Sequence, residues 1–178
     1  MQHELIRHPD SPENAMSVTA TCTREGAGEL ALRFTVKGDT TRLRLPERKA
    51  PARQDGLWRT TCFEVFVHES DGYWEFNASP SSEWAAYRFA GYRRGGEDDP
   101  GATVRNIETA LSPETLEATF EIAHPPCARN AAIRIGLSAI IETNEGAKSY
   151  WALAHPPGDP DFHHQTSFAF ALEEAFQS

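Results

Sequence analysis

Residues 62–89 read CFEVFVHESDGYWEFNASPSSEWAAYRF. Cys62–His68 and Tyr73–Ser79 alternate in side-chain character and flank Glu69-Ser70-Asp71-Gly72, a four-residue hairpin loop ending in glycine. Setting His68 opposite Tyr73 brings Val67 to Trp74, Val65 to Phe76 and Phe63 to Ala78, all on one apolar face. The other face pairs Phe66 with Glu75, Glu64 with Asn77 and Cys62 with Ser79. A slip of one residue would oppose every side chain to one from the wrong face, so the pattern specifies this register. Pro80-Ser81-Ser82-Glu83 reads as a second four-residue connection. It pairs Ala78 with Ala85, Phe76 with Tyr87 and Trp74 with Phe89 on the core face. On the other face it sets Ser79 beside Trp84 and Glu75 beside Arg88. The predicted meander therefore presents Glu64, Glu75, Asn77, Trp84 and Arg88 together.

The same period of two extends outward along the chain. Val18, Ala20 and Cys22 alternate with threonines, and Leu30, Leu32, Phe34 and Val36 alternate with smaller or polar residues. Leu116 to Ile122 and Ile133 to Ile141 repeat the pattern. Each such row describes a strand with one buried and one solvated face. No amphipathic helix is found, and clusters such as KGDT, SPSSE, GGEDDPG and TNEG punctuate the runs. About ten short strands so arranged predict an all-β chain, an antiparallel β-sandwich. Residues 46–57 and 93–101 lack periodicity and read as loops. With 178 residues and no shift in composition, residues 1–178 are expected to form one domain.

Composition narrows the function. A net charge of −9 disfavours a nucleic-acid partner. No run approaches the ~18 apolar residues of a membrane-spanning helix, so no membrane partner is expected. The N-terminus lacks the pattern of a secretory signal, which predicts a cytoplasmic location. Cys22, Cys62 and Cys127 form no CxxC pair and read as buried thiols. Oligomeric state has no signature here.

The second face of the meander carries the chemistry. An ordinary outer face would resemble that of residues 115–122, threonines and glutamates. This one mixes an aromatic plate, two carboxylates, an amide and a guanidinium. Such a set suits a sugar ring, with its apolar C–H faces and rim of hydroxyls. The plainer alternative is a Glu75–Arg88 cross-strand pair on a wet surface. Ser149, Trp151, Leu153 and His155 share one side of a further strand that Pro156 and Pro157 end. His155, Asp161, His163 and His164 lie within ten residues and offer an alternative metal or haem site, although adjacent His163 and His164 point apart in an extended chain. Calcium among the acidic residues of Gly95–Gly101 is another alternative. Ala-His-Pro-Pro occurs at 123–126 and 154–157, each time after a strand. No nucleophile, metalloprotease or dinucleotide motif is present, so no catalytic residue and no cofactor is assigned. A sugar hydrolase using Glu64 and Glu75, roughly 7–8 Å apart at Cα on a diagonal, is the enzymatic alternative. Against it, Arg88 beside Glu75 is expected to lower that carboxyl's pKa.

Residues 57–93, LWRTTCFEVFVHESDGYWEFNASPSSEWAAYRFAGYR, resemble the bacterial DOMON-like proteins. These are related to family-9 carbohydrate-binding modules and to haem- and sugar-binding DOMON domains. Residues 150–164, YWALAHPPGDPDFHH, resemble the C-terminal signature of the same group. The resemblance implies a jelly-roll-like sandwich with its ligand on a concave sheet face or at its edge. It implies a carbohydrate or similar polyhydroxylated ligand clamped between Trp84 and Trp151, with Glu64, Glu75, Asn77 and Arg88 as polar partners; His155, by its own place at the end of its strand, reads as a binding-rim residue. Haem-binding relatives ligate iron through Met and His. With Met1 and Met16 the chain's methionines, a haem here would fall to His155 with His163 or His164.

Overall fold

A computed structural model describes residues 1–25, 29–69, 71–123 and 133–172. Thirteen strands occupy them: β1 Gln2–Arg7, β2 Ser17–Glu25, β3 Glu29–Lys37, β4 Ala52–Arg53, β5 Cys62–Glu69, β6 Gly72–Ala78 and β7 Glu83–Gly91 come first. Then follow β8 Arg94–Asp98, β9 Thr103–Leu111, β10 Thr115–Ala123, β11 Ile133–Glu142, β12 Lys148–Ala152 and β13 Phe170–Leu172. Helix among the described residues is confined to three single 3-10 turns. The chain is thus an all-β sandwich, as the period-two pattern predicts.

One layer runs β1-β2-β3-β10-β9 and the other β12-β11-β5-β6-β7, with β8 and parallel β4 beside β7 and with β13 beside β11. β1 belongs to both. Gln2–Leu5 pair with β2, while Ile6 and Arg7 pair with β12. The apolar members of each alternating strand meet between the layers, where Phe34 lies 5.0 Å from Phe63 and 5.9 Å from Phe120, ring to ring. Burial of such side chains is the dominant stabilising term. Cys22 and Cys62 are buried; Cys127, Ser70 and residues 124–126 of the first Ala-His-Pro-Pro lie outside the described residues.

Three departures from the sequence reading have physical causes. Residues 94–98, read as loop, form β8 because backbone pairing to β7 requires no apolar alternation. In β9 the buried Val104 and Ile107 stand three apart, since Asn106 takes a left-handed φ of 53° and the register with β10 shifts there, the signature of a bulge. The third lies between β6 and β7. Ser82 N–H donates to Ser79 O and Ser79 N–H to Glu83 O, both at 3.0 Å, and Ser82 has φ 75°. Pro80-Ser81-Ser82 is therefore a three-residue loop with its last residue left-handed, one residue shorter than the predicted connection.

That single residue reverses the orientation of β7. Trp84 stands opposite Ala78, Ala86 opposite Phe76 and Arg88 opposite Trp74, on the core side. Ala85, Tyr87 and Phe89 stand opposite Asn77, Glu75 and Tyr73, on the outer side. The β5–β6 register, by contrast, matches the expected pairs from Phe63–Ala78 to His68–Tyr73.

The outer face of the second layer is not bare. Residues following β12 fold back across it, and Phe162, Phe168 and Leu57 pack with Phe66, Tyr73, Tyr87 and Phe89 in a second apolar cluster. Gly136 permits this approach, because a Cβ there would lie 2.9 Å from Phe168 Cδ1.

Candidate functional site

Alternation along five strands aims six side chains outward under this cover: Glu64 from β5, Glu75 from β6, Tyr87 and Phe89 from β7, Ile140 from β11 and Tyr150 from β12. They floor an open cleft of about 390 Å³, within the size range of small-molecule sites. Its walls come from Trp58, Arg93 and Gly96, and from Pro160, Phe162 and His163 of the covering segment. Trp58 sits on a 3-10 turn that begins after left-handed Gly56, and its ring meets Tyr87 edge-on at 6.2 Å. At 41% exposure it is a large apolar side chain left at the mouth.

The two carboxyl groups occupy diagonal positions, since Glu64 pairs with Asn77 and Glu75 with Phe66. They are 3% and 5% exposed. Ser138 Oγ donates to Glu64 Oε2 at 3.3 Å, and Asn77 Nδ2 donates to Glu75 Oε1 at 2.8 Å. Burial, reinforced by the neighbouring Glu75, pushes the Glu64 pKa well above the carboxylate range. Burial likewise raises Glu75 to about 7, against the opposing pull of Asn77 and Arg93. The pair thus retains protons near neutrality.

His163 closes one side. Arg93 N–H donates to Tyr73 Oη at 3.1 Å, and Tyr73 Oη lies 2.9 Å from His163 Nδ1. Tyr73 then donates to Nδ1, which leaves the ring proton on Nε2, 3.6 Å from Glu75 Oε2. Burial, with help from Arg93, lowers the His163 pKa to about 4, so the ring is neutral. Arg93 itself pairs with Asp161 Oδ1 at 2.8 Å, and Tyr92 Oη donates to Asp161 Oδ2 at 2.6 Å. Tyr87 Oη donates to Asp55 Oδ1 at 2.6 Å. Chemically, the cleft offers aromatic walls, buried carboxyl acceptors and donors, and an imidazole N–H.

Of the residues singled out in the sequence, Glu64, Glu75 and His163 line this cleft, and the fully buried Asn77 supports Glu75 from beside it. Trp84 and Arg88 do not reach it, because the short loop turns them to the other face. Trp84 packs against the main core, and Arg88 lies 4.0 Å over the Trp74 ring and pairs with Asp71 at 3.0 Å. The expected Glu75–Arg88 pair is therefore absent, and the expected lowering of the Glu75 pKa becomes a rise. Trp151, 5% exposed, is a core residue whose Nε1 donates to Ser149 Oγ at 2.9 Å. A clamp of Trp84 and Trp151 does not form at this cleft.

His155 is also elsewhere, with Nε2 2.8 Å from Ile6 O and its ring against His8. The set His155, Asp161, His163 and His164 is not gathered as a metal or haem site. Asp161 is held by Arg93 and Tyr92, and His164 Nδ1 accepts from Thr166 N–H at 3.2 Å. Among the described residues no three His, Cys, Asp or Glu side chains are placed to hold a metal ion. In the Gly95–Gly101 stretch, Asp98 pairs with Arg53, and Asp99 accepts from Trp74 Nε1 and Gly101 N–H. Sequence reasoning missed Trp58, Tyr87, Phe89, Arg93, Tyr150 and Phe162. Tyr87 and Phe89 follow from the loop length; a tryptophan after Gly56 was the one local sign of the mouth.

Neither a protein-family model nor a curated protein sequence matches the chain. Solved structures do. A family-9 carbohydrate-binding module from Caldicellulosiruptor kristjanssonii in complex with glucose superposes with TM-score 0.62 at 10% identity, covering 94% of this chain and 81% of that one. A family-9 module from the same organism in complex with cellotriose gives TM-score 0.57 at 10% identity, covering 83% and 70%. The likeness is one of fold.

Proposed function

We propose that this chain is a non-catalytic binding domain for a carbohydrate or similar polyhydroxylated small molecule, held in the cleft over Glu64 and Glu75. The carrying observation is the cleft itself, where an exposed tryptophan and four further aromatic rings surround two buried carboxyl groups. Aromatic faces take up the C–H surfaces of a sugar, and carboxyl, amide-backed and imidazole groups bond its hydroxyls. The fold supports the reading, since the modules it resembles are seen with glucose and cellotriose. The same reading keeps the chain in kinship with the DOMON-like proteins, on the motifs at 57–93 and 150–164.

A glycan array followed by calorimetric titration tests this with wild type and Trp58→Ala. The expected result is saccharide binding that weakens at least about tenfold in the variant while its melting curve stays in place. Absence of binding to every saccharide, or binding indifferent to Trp58, refutes the assignment. One observation favours a second reading, a sugar hydrolase: two carboxyls with raised proton affinity face one cleft, as acid–base pairs do. Turnover of a glycoside that disappears in Glu75→Gln would establish it in place of simple binding.

A further inference from the structure

We infer that the cleft selects an amino sugar over a neutral one, by seating the ligand's ammonium against the Glu64–Glu75 carboxyl pair. This rests on the carbohydrate reading above and adds the ligand's charge.

Among the described residues the buried glutamates are Glu64, Glu75 and Glu142. Glu142 has a cation, Arg44, at 3.3 Å. Neither cleft glutamate has a lysine or arginine partner among the described residues. Glu64 accepts from Ser138 Oγ at Oε2, and its carboxyl lines the cleft. Glu75 Oε2 has only the His163 Nε2 proton, at 3.6 Å.

The charged and titratable groups facing the pair from every side supply no spare positive charge. Arg93, from the β7–β8 turn, exerts a pull on Glu75, but its guanidinium is bound to Asp161 on the covering segment. His163 on that segment is neutral. Burial raises the pKa of the Cys62 thiol on β5 and of the Tyr87 hydroxyl on β7, which keeps both uncharged near neutrality, and Arg88 lies over the Trp74 ring on the opposite face.

A buried carboxyl pair without a counter-ion is neutralised either by protons or by a cation. A neutral hexose leaves the protons as the remaining means. An ammonium supplies both the charge and three N–H donors to carboxyl oxygens that lack them, and charge-assisted bonds of this kind are the stronger ones. Glu75, raised to about 7, would then lose its proton on binding. Affinity for the amine accordingly falls as pH drops below that value, by up to about tenfold per pH unit.

Titration calorimetry with glucosamine, N-acetylglucosamine and glucose, near pH 6 in two buffers of different ionisation heat, tests the inference. Glucosamine is expected to bind at least about tenfold tighter than either neutral sugar, with a buffer-dependent heat that reports proton release. In Glu75→Gln, and separately in Glu64→Gln, each checked for folding by circular dichroism, the preference should collapse toward unity. Glucose bound as tightly as glucosamine overturns the charge selection and leaves the sugar site standing. No binding of any of the three overturns both.

Discussion

Replacing Glu75 by glutamine probes a strongly perturbed group on the floor of the cleft. Its carboxyl is 5% exposed and takes a pKa of about 7 in the fold, against 4.5 when unfolded. A carboxyl whose proton affinity rises on folding contributes stability that is complete below the unfolded value and is lost as pH climbs through the folded one. At about 1.4 kcal/mol per pH unit, the gap amounts to about 3 kcal/mol. His163 runs the other way. Held down to about 4 from 6.5, its neutral form contributes stability that is complete above 6.5 and is lost as pH falls through 4. The two effects oppose each other between those limits, so the wild-type curve alone conceals both. The informative quantity is the difference in unfolding free energy between wild type and Glu75→Gln, measured by urea denaturation from about pH 4.5 to about 8. The variant should gain on wild type by about 3 kcal/mol across that span, most of it between about pH 5 and 7. A difference that stays constant with pH would show that Glu75 is ordinarily hydrated and would remove the electrostatic account of the cleft.

Trp151→Ala should cost about 3–5 kcal/mol in urea denaturation, as large core truncations do, yet leave ligand affinity unchanged at temperatures where the variant is folded. Loss of affinity in the folded variant would return Trp151 to the site. Ser82→Gly should raise stability by about 1 kcal/mol, since glycine relieves the left-handed backbone of the β6–β7 loop; a destabilised variant would contradict that loop geometry. Gly136→Ala should cost about 1–3 kcal/mol by driving a methyl into Phe168, and should weaken binding because Phe162 and His163 ride on the same segment. Unaltered melting and binding would mean that the segment is not docked there.

Much of the fold was legible because half-buried strands advertise themselves by alternation. The β5–β6 hairpin shows this most clearly: from residue 63 to 68 each expected partner is the observed one. The next hairpin defeated the same reasoning over one residue. Pattern favours a register only when the two faces differ, and β7 carries Trp84, Ala86 and Arg88 on one face and Ala85, Tyr87 and Phe89 on the other, so either fits. A glycine at position 82 would have announced the left-handed turn; serine did not. The carboxyl half of the site was readable because Glu64 and Glu75 interrupt apolar strands. The aromatic half was not, since Phe162 and Pro160 arrive by tertiary docking of an aperiodic segment, and Trp58 by a turn with no period at all.

β1 has a consequence for how the molecule comes apart. Its six residues from Gln2 to Arg7 stitch one layer to the other like a spine shared by two pages, with Leu5 and Ile6 marking the change of allegiance. Prying off either page tears the binding of both, so the layers should melt as one book rather than leaf by leaf.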